Sequence, residues 1–257
     1  MPRYFLEVSY KGTGYSGFQT QHNANTIQAE VEKCLSILNK EKIILTGSSR
    51  TDAGVHAIQN FFHFDSALLV HQWRGIESVK HFIYKMNAML PDDIVVKNLH
   101  NVSENAHCRF DAISREYNYY ISRFKDPFTK GETFFFPYKL DIDKMQQAAE
   151  MIKEHTDFTA FSKRNTQVKN FFCKMLESNW SLKNDTFIYH VKANRFLRGM
   201  VRALTATMLQ VGRNKISIDD FKNIIGSRDC TKASFAVPAD GLFLIAVEYP
   251  SDFFEIQ

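Results

Sequence analysis

The stretch Arg50-Thr51-Asp52-Ala53-Gly54-Val55-His56-Ala57 lies between two segments that read as strands, Lys42 to Leu45 and Ala57 to Phe64. Its middle is turn chemistry. Asp-x-Gly is an ordinary turn sequence, because aspartate bonds nearby backbone and glycine accepts a left-handed conformation. By composition alone, Asp52 reads as an Asx-turn residue. The flanking residues add a second possibility. Arg50 and Asp52 are two apart, so in an extended segment they project to the same side and can pair. An arginine beside a carboxylate keeps it ionised by direct attraction. An ionised, oriented carboxylate can attack carbon or take a proton. Gly54 lets the turn present that group outward.

Outward from this turn, the chain alternates strands and helices. Tyr4, Leu6, Val8 and Tyr10 alternate with Phe5, Glu7 and Ser9, the period of a strand. Gly12, Gly14 and Gly17 follow, and glycines so close together imply tight turns or close backbone approach to a ligand. The Gly-Lys-Ser/Thr ending of a phosphate loop is missing. Ile27, Val31, Cys34, Leu35 and Leu38 make one apolar stripe, which predicts a helix from Thr26 to about Leu38 capped by Asn25 or Thr26. A second helix is predicted over Ile76 to Met89, stopped by Pro91, and a strand over Ile94 to Leu99. In the second half, strands are predicted at Arg115 to Arg123, Phe171 to Leu182, Thr186 to Ala193 and Gly241 to Tyr249. Helices are predicted at Ile142 to Glu154, Leu197 to Gly212 and Asp219 to Ile225. Strands with helices interspersed predict an α+β fold of two halves, 1–104 and 105–257, each a mainly antiparallel sheet with helices packed on it.

The bulk properties set limits. In 257 residues, 44 % are hydrophobic and 23 % charged, enough apolar side chains for a sizeable core. The 23 Phe and 10 Tyr are expected mostly inside that core. A net charge of +4 is only mildly basic, so a nucleic-acid partner requires concentrated charge. Cys34, Cys108, Cys173 and Cys230 form no C-x-x-C pair, and the nine histidines show no metal spacing. No dinucleotide or Walker motif is present. The Met1 to Glu7 start does not read as a signal peptide, and no apolar run is long enough to span a membrane. These readings favour a cytoplasmic protein that binds no metal or cofactor and no membrane, with any chemistry done by side chains.

Two further segments carry chemistry. Arg115-Glu116-Tyr117-Asn118-Tyr119-Tyr120-Ile121 places Tyr117, Tyr119 and Ile121 on one strand face. A tyrosine ring at a site mouth stacks on an exposed base, though strands favour aromatics anyway. Arg195, Arg198 and Arg202 fall at i, i+3 and i+7, which predicts a basic ridge able to hold phosphates or a buried carboxylate, or simply a solvated face. Lys163, Arg164 and Lys169 form a basic stretch that reads as a loop contacting RNA or as a solvated loop.

Taken together, these segments resemble the tRNA pseudouridine synthase A family. The octapeptide from Arg50 to Ala57 matches its catalytic signature. Further matches are Tyr10-Lys11-Gly12-Thr13-Gly14-Tyr15-Ser16-Gly17-Phe18-Gln19, Asn87 to Ile94, Ala106 to Ala112, Asp157 to Phe161, Met200-Val201-Arg202 and Ala239 to Leu244. The segment Phe196 to Gly199 departs from the histidine-bearing form of many relatives. The resemblance implies an enzyme that converts uridine to pseudouridine at nucleotides 38 to 40 of the tRNA anticodon stem-loop. It implies two similar halves facing across an active-site cleft, a homodimer, and no cofactor or metal. It assigns Asp52 as nucleophile, Tyr117 as the ring stacked on the target uracil and a candidate base, and Arg202 as the partner of Asp52. Arg50 matches an RNA-binding arginine and Leu244 an apolar neighbour of the base, while Arg198, Lys163 and Arg164 are expected to contact RNA. Asp52 would act at ribose C1′ or, in the alternative, at uracil C6. Two other readings compete: a catalytically silent tRNA-binding protein on the same scaffold, and a carboxylate-dependent hydrolase of a small molecule, for which no second acid stands out.

Overall fold

The computed structural model describes residues 1–164 and 168–254 as an α+β protein of two compact units. The first comprises Met1–Ile113 and Leu244–Gln257, the second Ser114–Phe243.

In the first unit, strand β1 (Arg3–Tyr10) is central and antiparallel to both β3 (His56–Asp65) and β4 (Ile94–Val102). The short β2 (Thr46–Gly47) pairs with β3, and the order runs β4-β1-β3-β9, where β9 is Leu242–Glu248. Phe5, Leu6, Val8, Phe62 and Phe64 are buried in this sheet. Helix α1 (Ile27–Asn39) begins where the Thr26 side chain accepts the Ala29 N–H, satisfying a donor that the first turn leaves unpaired. Its stripe of Ile27, Val31, Cys34 and Leu35 is buried. Helix α2 (Val79–Met89) starts at the Ser78 cap rather than at Ile76, because the Ser78 hydroxyl accepts the His81 N–H.

The second unit has β5 (Ser114–Ser122), β7 (Met175–Lys183) and β8 (Thr186–Ala193) in the antiparallel order β5-β8-β7, with β6 (Phe134–Phe135) parallel to β5. Helix α3 (Ile142–Met151) packs against β7 and against α4 (Met200–Gly212), and α5 (Ile218–Ser227) packs on both helices. Helix α4 is buried on nearly every side, including Thr205 and Thr207, whose hydroxyls donate to the carbonyls of Val201 and Ala203.

The structure differs from the sequence reading in several further places. Lys42 to Leu45 is not a strand; pairing is confined to Thr46–Gly47. The strand expected from Phe171 starts at Met175. Asn105–Ile113 and residues 244–254 group with the first unit, whereas the sequence reading put them in a second half that begins at residue 105. The Tyr249 hydroxyl donates to the Cys108 carbonyl at 2.6 Å, and the Ile113 N–H donates to Glu248, tying these segments together. Rings of Phe5, Phe61, Tyr249, Phe253 and Phe254 complete that cluster. Most Phe and Tyr lie inside or half-buried as expected, and a few are exposed, most of all Phe128 at 92 %.

Candidate active site

The turn carrying Asp52 is held from three sides within the first unit. The Val55 N–H donates to the Asp52 carbonyl at 3.2 Å, closing a four-residue turn with Gly54 at φ +82° in the third position. That conformation strains any residue with a Cβ, which explains the glycine. Beneath the turn, Gly12 and Gly17 approach its backbone. A Cβ on Gly12 would lie 2.0 Å from the Val55 oxygen, and one on Gly17, which has φ +101°, would lie 3.1 Å from the Thr51 oxygen. The Phe18 N–H donates to that Thr51 oxygen, and His56 Nδ1 accepts the Gly12 N–H. The glycines thus serve close backbone packing against the Asp52 turn, where the sequence left a ligand open.

On the strand side, the Tyr10 hydroxyl and Thr51 Oγ1 share a buried hydrogen bond of 2.9 Å. Asn60 on β3, fully buried, donates to the Tyr10 hydroxyl at 3.1 Å and to the Ser49 carbonyl at 3.0 Å. Its own oxygen accepts the Ser48 hydroxyl and the Phe61 N–H. Asp52 itself is half-buried and Arg50 exposed. Arg50 donates to Gln19 Oε1 at 3.2 Å. Leu244, on β9 in the same unit, is fully buried.

In the second unit, Tyr117 sits on β5 opposite Val191 of β8, 8 % exposed, with its ring edge-on to Phe196 at 5.1 Å. Its neighbour Tyr119 is fully buried and donates to the Pro238 carbonyl, and burial pushes its hydroxyl well above the usual range for tyrosine. Arg202 lies in the first turn of α4. Its Nε and Nη2 both donate to the Val237 carbonyl, at 3.0 and 2.6 Å, which aims the guanidinium. The predicted ridge of Arg195, Arg198 and Arg202 on one helix is not formed. Helix α4 begins only at Met200, after Gly199 with φ +74°, so Arg195 and Arg198 precede it. Arg198 is exposed, and its carbonyl accepts the Lys163 N–H at 3.0 Å. The Lys163 side chain lies over Gly199, where a Cβ would meet its stem at 3.1 Å. Arg164 is exposed beside it, in an open hollow with Arg228 and Asp229. The basic stretch from Lys163 to Lys169 includes residues 165–167, which lie outside the described residues.

Among the described residues, one grouping of metal-ligand type is formed by residues too far apart in sequence to show as a spacing motif. His63, His107 and Cys108 place donor atoms within 4.8 Å of one another. Both imidazoles already accept backbone N–H groups at Nδ1, from Cys108 and Arg109, each at 3.2 Å, and the Cys108 thiol donates to the Thr46 carbonyl. Burial pushes the His63 pKa down to about 4.

A family model described as tRNA pseudouridine synthase matches residues 7–111 and 148–250. The chain belongs to that family. It is 39 % identical to the tRNA pseudouridine synthase A of Parabacteroides distasonis over 258 residues, covering 100 % of both chains. It is 41 % identical to the Porphyromonas gingivalis protein of that name, over 99 % of this chain and 100 % of the relative. For the Staphylococcus aureus relative the identity is 38 %, over 94 % of this chain and 89 % of the other. As a tRNA pseudouridine synthase the chain is an isomerase, and the matched spans contain Asp52 and Arg202 but not Tyr117. Tyr117 falls in the interval between those spans, inside the end-to-end match with the Parabacteroides protein. Among the described residues of this synthase, no helix is long and apolar enough to cross a membrane.

Proposed function

We propose that this synthase isomerises uridine to pseudouridine at nucleotides 38 to 40 of the tRNA anticodon stem-loop, with Asp52 as the reacting carboxylate. The observation that carries the assignment is the Asp52 turn. A half-buried carboxylate follows Thr51, whose oxygens are held by Phe18 and Tyr10, on a turn backed by two closely packed glycines. Such rigidity keeps a reacting group in place, and an ordinary surface turn has no use for it. In this reading Arg202, aimed by the Val237 carbonyl, is the charge partner of Asp52. The target base is taken out of its stack at a cost of a few kcal/mol. Tyr117 replaces the lost stacking, worth roughly 1–3 kcal/mol per base. Arg50 holds the opened RNA backbone, Leu244 lines the base pocket, and Arg198, Lys163 and Arg164 meet phosphates.

The bond between C1′ and uracil N1 breaks, the base turns, and C5 bonds to C1′. One proton leaves C5 and one arrives at N1, so the net change is redox-neutral and atoms balance whether Asp52 acts first at C1′ or at C6. Tyr117 is the proposed acceptor of the C5 proton. The enzyme works without a cofactor or metal, in the cytoplasm, as a homodimer in which one tRNA meets both subunits. The test is tritium release from C5-labelled uridine in tRNA. Wild type releases tritium, and Asp52→Asn binds tRNA and releases none. Binding without release by the wild type would instead support a silent tRNA-binding protein.

A further inference from the structure

We infer that Tyr10, Asn60 and Thr51 form a positioning clamp that sets the Asp52 carboxylate for attack, an inference that rests on Asp52 being the reacting group. Asn60 has two amide hydrogens, and both are committed to the catalytic turn: one to the Ser49 carbonyl just before Arg50, the other to the Tyr10 hydroxyl. The Tyr10 hydroxyl in turn shares a hydrogen bond with Thr51 Oγ1, on the residue before Asp52. One side chain of β3 therefore fixes the chain on both flanks of Arg50, directly at Ser49 and through Tyr10 at Thr51. The Asn60 oxygen accepts from Ser48 and Phe61, which fixes the amide's orientation and leaves it no alternative pose.

All three residues are buried, Asn60 at 0 %, Tyr10 at 4 % and Thr51 at 9 % exposure. A buried polar chain of this kind is tolerated only when every member is satisfied. An apolar contact would hold the turn to within van der Waals tolerance. A chain of hydrogen bonds of 2.9–3.1 Å is directional as well, and fixes rotation about the strand. Rotation is what matters at Asp52, because a displacement of about 1 Å in a reacting group can cost on the order of 100-fold in rate. The Thr51 carbonyl is held independently by the Phe18 N–H, so removing a hydroxyl loosens the turn without releasing it.

The test uses Tyr10→Phe and Thr51→Val, each nearly isosteric, with Thr51→Ser as the variant that restores the hydroxyl. Single-turnover rate, tRNA Kd and Tm are measured for each. The expected result is a rate loss of about 10- to 100-fold in both Tyr10→Phe and Thr51→Val, with Kd within about twofold of wild type. Thr51→Ser recovers most of the rate. The double variant is no slower than the worse single, since both break one chain. Wild-type rates in both singles, weakened tRNA binding that accounts for the loss, or multiplicative losses in the double variant would each overturn the clamp. Asp52→Asn run alongside separates the two readings. Full turnover in that variant overturns the nucleophile and the clamp together, whereas an inactive Asp52→Asn with unperturbed Tyr10→Phe and Thr51→Val overturns the clamp alone.

Discussion

Replacing Gly12 with alanine places a Cβ 2.0 Å from the Val55 carbonyl oxygen and 2.7 Å from its carbon. Real Cβ atoms essentially never come within 3.0 Å of such an atom, so the glycine loop and the Asp52 turn must part by at least 1.0 Å, the difference of 3.0 and 2.0. Neither side yields easily. Val55 is tied to Asp52 by the turn hydrogen bond, and the loop is tied by the Lys11 N–H to the Asp93 carbonyl and by the Tyr15 hydroxyl to Asp93 Oδ1 at 2.6 Å. Overpacking of this kind costs about 1–3 kcal/mol. At roughly 2–4 °C per kcal/mol for a chain of this size, Tm should fall by about 2–12 °C. The rate should fall further than stability does, because a 1 Å displacement reaches Asp52: about 100-fold in single-turnover tritium release. The measurement is made below the lowered Tm with tRNA in excess, so that folded enzyme is compared with folded enzyme. Gly12→Ala with wild-type rate and Tm would refute the argument that the glycine exists to admit Val55. A large drop in Tm with an unchanged rate would detach the packing from the chemistry.

Other substitutions test the remaining roles. Gly17→Ala, at φ +101° and 3.1 Å from the Thr51 oxygen, should lower Tm and rate together, and a neutral result by thermal melting would contradict the left-handed requirement. Arg202→Lys keeps the charge but loses the two-nitrogen grip on the Val237 carbonyl, so turnover should drop at least tenfold with tRNA binding retained, and wild-type turnover would refute the aiming role. Tyr117→Ala should lose stacking worth roughly 1–3 kcal/mol, about 5- to 150-fold in the single-turnover rate, whereas Tyr117→Phe should keep tRNA binding and report on the hydroxyl alone. The pH dependence of stability follows from His63. Its folded pKa is pushed down to about 4, below the ordinary 6.5, so the unfolded chain binds a proton that the folded one refuses. That stabilisation is complete above pH 6.5 and is lost as pH falls towards 4; Tm should decline across this window, and His63→Gln should make the decline shallower.

Much of the fold can be read from periodicity, since local pattern and tertiary context agree there. The stripe of α1 is visible in the sequence as Ile27, Val31, Cys34 and Leu35, and Thr26 caps it by a bond that spans only three residues. The strand from Thr186 to Ala193 alternates in burial along its whole length, and its bounds follow from composition. Failures occur where a distant partner decides. The apolar run Lys42 to Leu45 pairs with nothing as a strand, and the Leu45 N–H is taken by Glu32 of α1. Arginines spaced for a helix face, Arg195 and Arg198, precede α4 because Gly199 turns left-handed under the Lys163 side chain.

The Asp52 turn shows the same division. Its residue types, the Asp-x-Gly turn and the resemblance of its octapeptide to one family were determined by sequence alone, because they depend on neighbours within a few positions. What holds the turn was decided only by tertiary structure. Tyr10 lies 41 residues from Thr51, and Asn60 lies 50 from Tyr10. Their hydrogen bonds exist because β1 and β3 pair antiparallel and bring both side chains beneath one loop. A hydrogen bond requires two groups within about 3 Å, and no periodicity along a chain encodes which distant strand will supply the second group.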